Sequence, residues 1–260
     1  MFRGLAKKLI KRIHSFFNKR GSRKKCYTCQ NTFDHFLKFK NGLKSVPEFI
    51  KRLQMVGSDV ENFKCAVCGS TDRERHFFMF FDKLGLWDKM VNGEILHMAP
   101  EVKLSEKISS LRPAKYIKGD LFPSDKSIQK IDIIRIPFPD NSFDSVICNH
   151  VLEHIPDCLQ AVKEIFRVLK PKGYAILQTP YSKLLSRNFE EEKINTDELR
   201  FFFYGQEDHV RIFSEKQFFL LLTSAGFTLE VIKHSEFFSE KEADYFGVNK
   251  EEDLIKVIKP

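Results

Sequence analysis

The run FPDNSFDSVICNHVLEHIPDCLQAVKEIFRVLKPKG, residues Phe138–Gly173, decides the fold. Asp140-Asn141-Ser142 favours a turn, because short polar side chains bond their own backbone. Phe143–Asn149 follows as a short apolar segment, the pattern of a buried strand. Asp157 suits a helix N-cap, and Leu159, Val162, Ile165, Phe166 and Leu169 recur at helical spacing on the way to Lys170. Pro171 and Gly173 are expected to end that helix, and Tyr174–Thr179 reads as the next strand. A strand, a crossover helix and another strand form the repeating unit of a parallel sheet.

The alternation extends in both directions. Upstream, Glu94–Met98 reads as a strand, Glu101–Leu111 as a helix, Lys115–Lys118 as a strand ending at Gly119-Asp120, and Ile131–Ile134 as a third strand. Downstream, Ser214–Ala225 reads as a helix, with strands at Phe227–Lys233 and Leu254–Ile258. Residues 181–211 are polar and irregular and read as a lid-like insert. Thr71 and Glu74 have capping-box spacing at the head of a helix reaching Leu84, with Phe77, Phe78 and Phe81 on one stripe.

Charge is concentrated at one end. The chain of 260 residues has a net charge of +8, yet its first 25 positions hold ten basic residues and no acid, so the body is close to neutral. That balance speaks against a nucleic-acid partner. Over residues 2–17, Phe2, Leu5, Leu9, Ile10, Ile13, Phe16 and Phe17 share one helical face and the basic side chains the other. Three readings stay open: an interfacial helix on an anionic membrane, a terminal helix docked on the body or a partner, or an organelle transit peptide. No run reaches the roughly 18 apolar residues of a spanning helix, and the expected location is cytoplasmic, with peripheral contact at the inner membrane surface under the first reading.

Four of the six cysteines form two C-x-x-C pairs, Cys26/Cys29 and Cys65/Cys68. Each pair can present two thiolates to one tetrahedral Zn²⁺, and Gly69 suits a tight knuckle. The expected role is structural, since four thiolates leave no open position; redox thiols are the alternative. Cys148 and Cys158 read as core or helix residues. The expected organisation is a basic helix and linker over 1–25, a zinc-ribbon-like module over 26–70 and an α/β domain over 71–260.

The opening run also resembles a known signature. Ile136-Pro137-Phe138-Pro139-Asp140-Asn141-Ser142-Phe143-Asp144, His150-Val151-Leu152-Glu153-His154-Ile155-Pro156-Asp157 and Glu164-Ile165-Phe166-Arg167-Val168-Leu169-Lys170-Pro171 are similar, in order, to the motifs of type 11 class I methyltransferases. The likeness covers about residues 94–180. Gly205-Gln206, Asp208-His209-Val210-Arg211 and the stretch Cys65, Cys68, Gly69, Ser70, Arg73 and Arg75 resemble a subset with an N-terminal cysteine-pair module. The resemblance implies a Rossmann-like, mostly parallel seven-stranded sheet with helices on both faces, and S-adenosylmethionine as cofactor. It implies methyl transfer; the expected target is an oxygen or nitrogen of an unidentified small-molecule acceptor, and a glycan or lipid-type acceptor is compatible with a basic helix placed at an anionic surface.

In such sheets ligands sit outside the carboxyl ends of the strands. Asp120 is expected to accept the ribose hydroxyls, and Asp132 and Ile133 to meet the adenine edge. Asn149 is expected at the cofactor's amino acid portion or the acceptor. The first strand departs from the family pattern: His97, Ala99 and Glu101 stand where the acid and two glycines are usual. Glu101 is expected to hold the cofactor's amino group in compensation. His150 is the best-placed base, with His209 and Arg211 facing the acceptor and His154 packing or capping. The altered turn also leaves open an inactive, zinc-binding adaptor.

Overall fold

The computed structural model describes residues 23–260, so the helix expected over 2–17 lies outside the described residues. Among them, no helix is long and apolar enough to cross a membrane. The chain divides into two compact units: described residues up to Ser45 with Ser58–Leu84 and His234–Glu251, and Val46–Gly57 with Gly85–Lys233 and Glu252–Pro260. This partition differs from a break at residue 70.

In the first unit, a hairpin pairs Lys24–Lys25 antiparallel to Thr32–Phe33. Helix α1, Asp72–Leu84, begins as its capping box predicts, with Glu74 N donating to Thr71 Oγ1 at 3.2 Å and Thr71 N to Glu74 Oε2 at 2.9 Å. It belongs with this unit because of Arg75. Its guanidinium, fully buried, lies 3.8 Å from the Phe36 ring centre. It donates to the carbonyls of Ser70 at 3.0 Å, Phe246 at 2.8 Å and Gly247 at 2.6 Å, and to that of Asn62. A buried charge is tolerated where its donors are satisfied, and here the five-donor fork ties three chain segments together.

The second unit is built on a seven-stranded sheet: β1 (Glu94–Met98), β2 (Lys115–Asp120), β3 (Gln129–Lys130), β4 (Phe143–Asn149), β5 (Leu169–Gln178), β6 (Thr228–Ile232) and β7 (Leu254–Ile258). The spatial order is β6-β7-β5-β4-β1-β2-β3. β1 to β5 pair in parallel, and β7 runs antiparallel to β5 and β6. This is the Rossmann-like sheet expected. Ile95, Leu96, Val146, Ile147, Ala175 and Ile176 are fully buried on successive positions, as both faces of a covered parallel sheet require. The strand order reverses between β1 and β4, which opens a crevice at their carboxyl ends.

Helices α2 (Val102–Ser110), α3 (Cys158–Val168), α4 (Asp197–Tyr204) and α5 (Glu215–Ser224) complete this unit. Asp157 caps α3 and Ser214 caps α5, each side chain accepting from the amide three residues on. Two expectations are corrected. α3 ends at Val168, two residues early, because Leu169 already pairs with Phe143 in the sheet. The third strand is Gln129–Lys130 rather than Ile131–Ile134. Asp132 Oδ1 accepts from Ile134 N at 3.1 Å and Asp132 O from Arg135 N at 3.0 Å, which folds that stretch into a turn. The insert 181–211 is not devoid of structure. Tyr181–Ser182 pairs with Met55–Val56, and Tyr204 and Ile212 bury themselves with Ile50. Residues 46–57 therefore fold with the sheet unit.

Candidate functional site

The site lies at the carboxyl ends of β1, β2 and β4. Ala99, just past β1, takes the left-handed conformation, φ 47°, and its amide donates to Gly119 O at 2.8 Å. That region is disfavoured for residues with a Cβ, and Ala bears the smallest penalty after Gly. Ala99 thus adopts a conformation open to glycine, whereas Glu101 is extended, φ −68°. A Cβ on Gly119 would stand 2.8 Å from Ile131 and 2.9 Å from Met98 Sδ, so the residue before Asp120 is held to Gly by crowding.

Glu101 is the N-cap of α2. Its Oε2 lies 2.7 Å from His97 Nε2, and its Oε1 accepts from Asn149 Nδ2 at 3.1 Å. A carboxylate only accepts, so His97 Nε2 carries the proton and Nδ1 accepts from Tyr116 Oη at 2.9 Å. Burial by itself would raise the Glu101 carboxyl; the bonds from His97 and Asn149 outweigh it and hold the group below the usual carboxylate range. Burial, and then Glu101, push the Tyr116 hydroxyl up, so it stays protonated. Asn149 Oδ1 is buried without a hydrogen-bond partner among the described residues.

Asp120 ends β2, with one oxygen accepting from Phe122 N at 2.8 Å. Asp132 is exposed on its turn, with Oδ1 accepting from Ile134 N, and the Ile133 side chain is in the core.

A second carboxylate follows β4. His150 is left-handed, φ 53°, and its amide donates to Gln178 O at 2.7 Å, extending the β4–β5 ladder by one bond. Its Nδ1 lies 3.5 Å from Glu153 Oε1, and its Nε2 is buried without a partner among the described residues. Glu153 Oε1 is also faced by His154 Nε2 at 3.9 Å and His209 Nε2 at 4.0 Å, while Oε2 accepts from Thr179 Oγ1 at 2.8 Å. Burial pushes the Glu153 carboxyl up, but the facing histidines, His150 first, outweigh it and lower it to about 2. Burial pushes His209 down against the pull of Glu153.

His209 is positioned by α4. Gly205 turns left-handed, φ 91°, after the helix, and His209 Nδ1 returns to within 3.3 Å of Tyr204 O, a helix-end carbonyl. Arg211 does not face an acceptor, nor does it pair with Asp208. It is buried, bonded to the carbonyls of Leu152, Ile155 and Pro156 and ion-paired to Glu190 at 2.7 Å. Sequence reading missed Glu153, Thr179 and Tyr116. The spacing His150-x-x-Glu153-His154 was the available signal for the first of these.

In the other unit, Cys26 Sγ lies 3.7 Å from Cys68 Sγ and Cys29 Sγ 3.9 Å from Cys65 Sγ, and all four thiols are free. Gln30 and Gly69, one past each pair, are both left-handed, and their amides donate to Cys26 O and Cys65 O at 2.8 and 3.0 Å. The two turns are therefore built alike.

Residues 102–177 match the family described as methyltransferase domain. This stretch is similar to a methyltransferase domain. The matched region carries the crossover from α2 through β5, and with it Asp120, Asn149 and Glu153. An uncharacterized methyltransferase of Schizosaccharomyces pombe is 36% identical over 83 residues, which are 32% of this chain and 30% of that protein. The demethylmenaquinone methyltransferase of Staphylococcus aureus is 30% identical over 135 residues, 44% of this chain and 51% of that one. The chain spans about half or less of these relatives. An S-adenosylmethionine dependent methyltransferase of Mesorhizobium loti is 12% identical, with a TM-score of 0.49 over 69% of this chain and 96% of that one.

Proposed function

We propose that the chain is an S-adenosylmethionine-dependent methyltransferase acting on an oxygen or nitrogen of a small-molecule acceptor, with glycan and lipid-linked acceptors within its range. The observation that carries this reading is the convergence of Glu101, Asn149 and the Ala99 turn at one crevice of a methyltransferase domain. Asn149 Oδ1, buried and unpartnered, and Glu101, held ionised, fit an ammonium group. The left-handed Ala99 leaves the backbone free to approach a ligand. Asp120 ends the neighbouring strand with one oxygen engaged in its turn, and fits a pair of ribose hydroxyls. The cofactor, when bound, supplies an electrophilic methyl group on a sulfonium.

The chain's own residues do the rest. His97 and Asn149 fix the Glu101 carboxylate, and Tyr116 fixes the His97 tautomer. His150 Nε2 would take the acceptor's proton, with Glu153 behind Nδ1 steadying the ring. The four-cysteine cluster fits a structural Zn²⁺. With Zn–S near 2.3 Å, tetrahedral sulfurs stand about 3.8 Å apart, between the two separations found here.

Calorimetry with S-adenosylmethionine tests the cofactor assignment; folded protein with no binding at millimolar ligand refutes it and leaves a zinc-binding adaptor. A labelled-methyl assay against fractionated cell extract tests the acceptor. Label appearing on a carbon, the position named for one relative, a sterol 24-C-methyltransferase of Aspergillus fumigatus, would overturn the oxygen or nitrogen assignment.

A further inference from the structure

Three imidazole nitrogens face one carboxylate oxygen without hydrogen-bonding it. His154 Nδ1 is 3.1 Å from Asp208 O and 3.3 Å from Asp208 Oδ2. His209 Nδ1 is 3.3 Å from Tyr204 O. Carbonyls and carboxylates only accept, so both Nδ1 atoms carry the proton. In a neutral ring Nε2 is then the lone-pair nitrogen, and these two atoms stand 3.9 and 4.0 Å from Glu153 Oε1. Lone pairs beside a negative oxygen repel it unless a cation stands between them. His209 and Glu153 are 4% and 1% exposed, and His209 Nε2 has no partner among the described residues.

The geometry points to a divalent transition-metal site formed by Glu153 Oε1, His154 Nε2 and His209 Nε2. These three atoms lie within 4.8 Å of one another. Atoms bound to one ion at about 2.1 Å stand at most about 4.2 Å apart, so a small contraction closes the triangle. The surrounding bonds are those of metal-binding side chains: each ring is oriented by an Nδ1–H donated to a carbonyl, and Glu153 Oε2 is fixed by Thr179. Two imidazoles and one carboxylate favour zinc, iron(II) or cobalt(II) over magnesium or calcium. His154, with 27% of its side chain exposed, marks the route of entry.

Three protein ligands leave positions open, the arrangement of catalytic rather than structural metal sites. The open positions suit an oxygen-bearing acceptor, a hydroxyl or enol whose deprotonation the ion assists while His150 takes the proton. That role rests on the methyl-transfer reading; binding of the ion does not.

The test uses the full chain, equilibrated with zinc until the four-cysteine site is filled and then dialysed against free zinc at about 100 µM. Plasma emission is expected to count one further ion per chain. Cobalt(II) titration of the same protein is expected to give visible ligand-field bands without thiolate charge-transfer bands. His154→Gln and His209→Gln are each expected to weaken this ion at least about tenfold, the lower end of what shell residues contribute. His154 is partly exposed, so His154→Gln decides the matter if the buried substitution does not fold. No ion beyond the cysteine site in the wild type, or unchanged affinity in a folded His154→Gln, overturns the proposal. Because the readout is metal content, neither result depends on whether S-adenosylmethionine binds.

Discussion

Glu101 and Glu153 make an instructive pair. Each is a carboxylate just past a central strand, beside a residue forced into the left-handed region, and each meets histidine nitrogens. At Glu101 both oxygens are engaged, at 2.7 and 3.1 Å, and 18% of the side chain remains exposed. At Glu153 one oxygen is bonded to Thr179, and the other has three ring nitrogens at 3.5 to 4.0 Å. The first network is complete and presents its charge outward, as a receptor for an ammonium group should. The second is too wide for hydrogen bonds and turned inward, the shape of a coordination shell. The two proposals thus assign different ligand chemistries to two similar sequence elements, histidine followed within four residues by glutamate.

The sharpest way to break the comparison is to remove one charge at a time. Glu101→Gln is expected to weaken S-adenosylmethionine about 30-fold, roughly 2 kcal/mol for a charged hydrogen bond. Glu153→Gln is expected to leave that affinity within about twofold. Calorimetry on both variants checks it, and equal losses would merge the two sites into one. Next in size is the backbone at Ala99. A β-branched side chain is poorly tolerated at φ 47°, so Ala99→Val is expected to destabilise the fold by about 1–3 kcal/mol. A lower denaturant midpoint at constant m-value would show it; an unchanged midpoint would mean the turn is not held left-handed. Tyr116→Phe comes third. It frees His97 Nδ1 and lets the ring exchange tautomers, for a loss of about 1 kcal/mol, near fivefold in cofactor affinity.

The fold was legible wherever local pattern and tertiary demand agreed. β4 and α3 needed only an apolar run and an Asp157 cap, and both formed within a residue or two of expectation. The failures share one cause, long-range partners. Ile131 and Ile133 are apolar because the core needs them, yet β2 pairs with Gln129–Lys130 and Asp132 bends the chain immediately after. Residues 46–57 lie inside the expected cysteine module, but Val56 pairs with Tyr181, 125 positions on. At the site, Glu101 was legible because it replaced a glycine in a known motif. Glu153 was not, since its environment comes from Thr179, just past β5, and His209 after α4, and no single window of sequence contains all three.

The smallest effect probes why Glu101 stays charged. Burial pushes its carboxyl up, and the bond from His97 turns the net shift downward. A group with a lowered folded-state pKa adds stability that is present above its unfolded value and fades as pH falls below it. S-adenosylmethionine affinity is therefore expected to stay flat from neutral pH down to the ordinary carboxylate range. In His97→Phe burial persists while the strongest compensating bond is gone, so the acid limb of affinity is expected to move to higher pH. A calorimetric pH series on the two proteins reads the difference. Superimposable profiles would mean that Asn149 and the helix terminus hold the charge alone, and that the histidine on β1 serves the fold rather than the ligand.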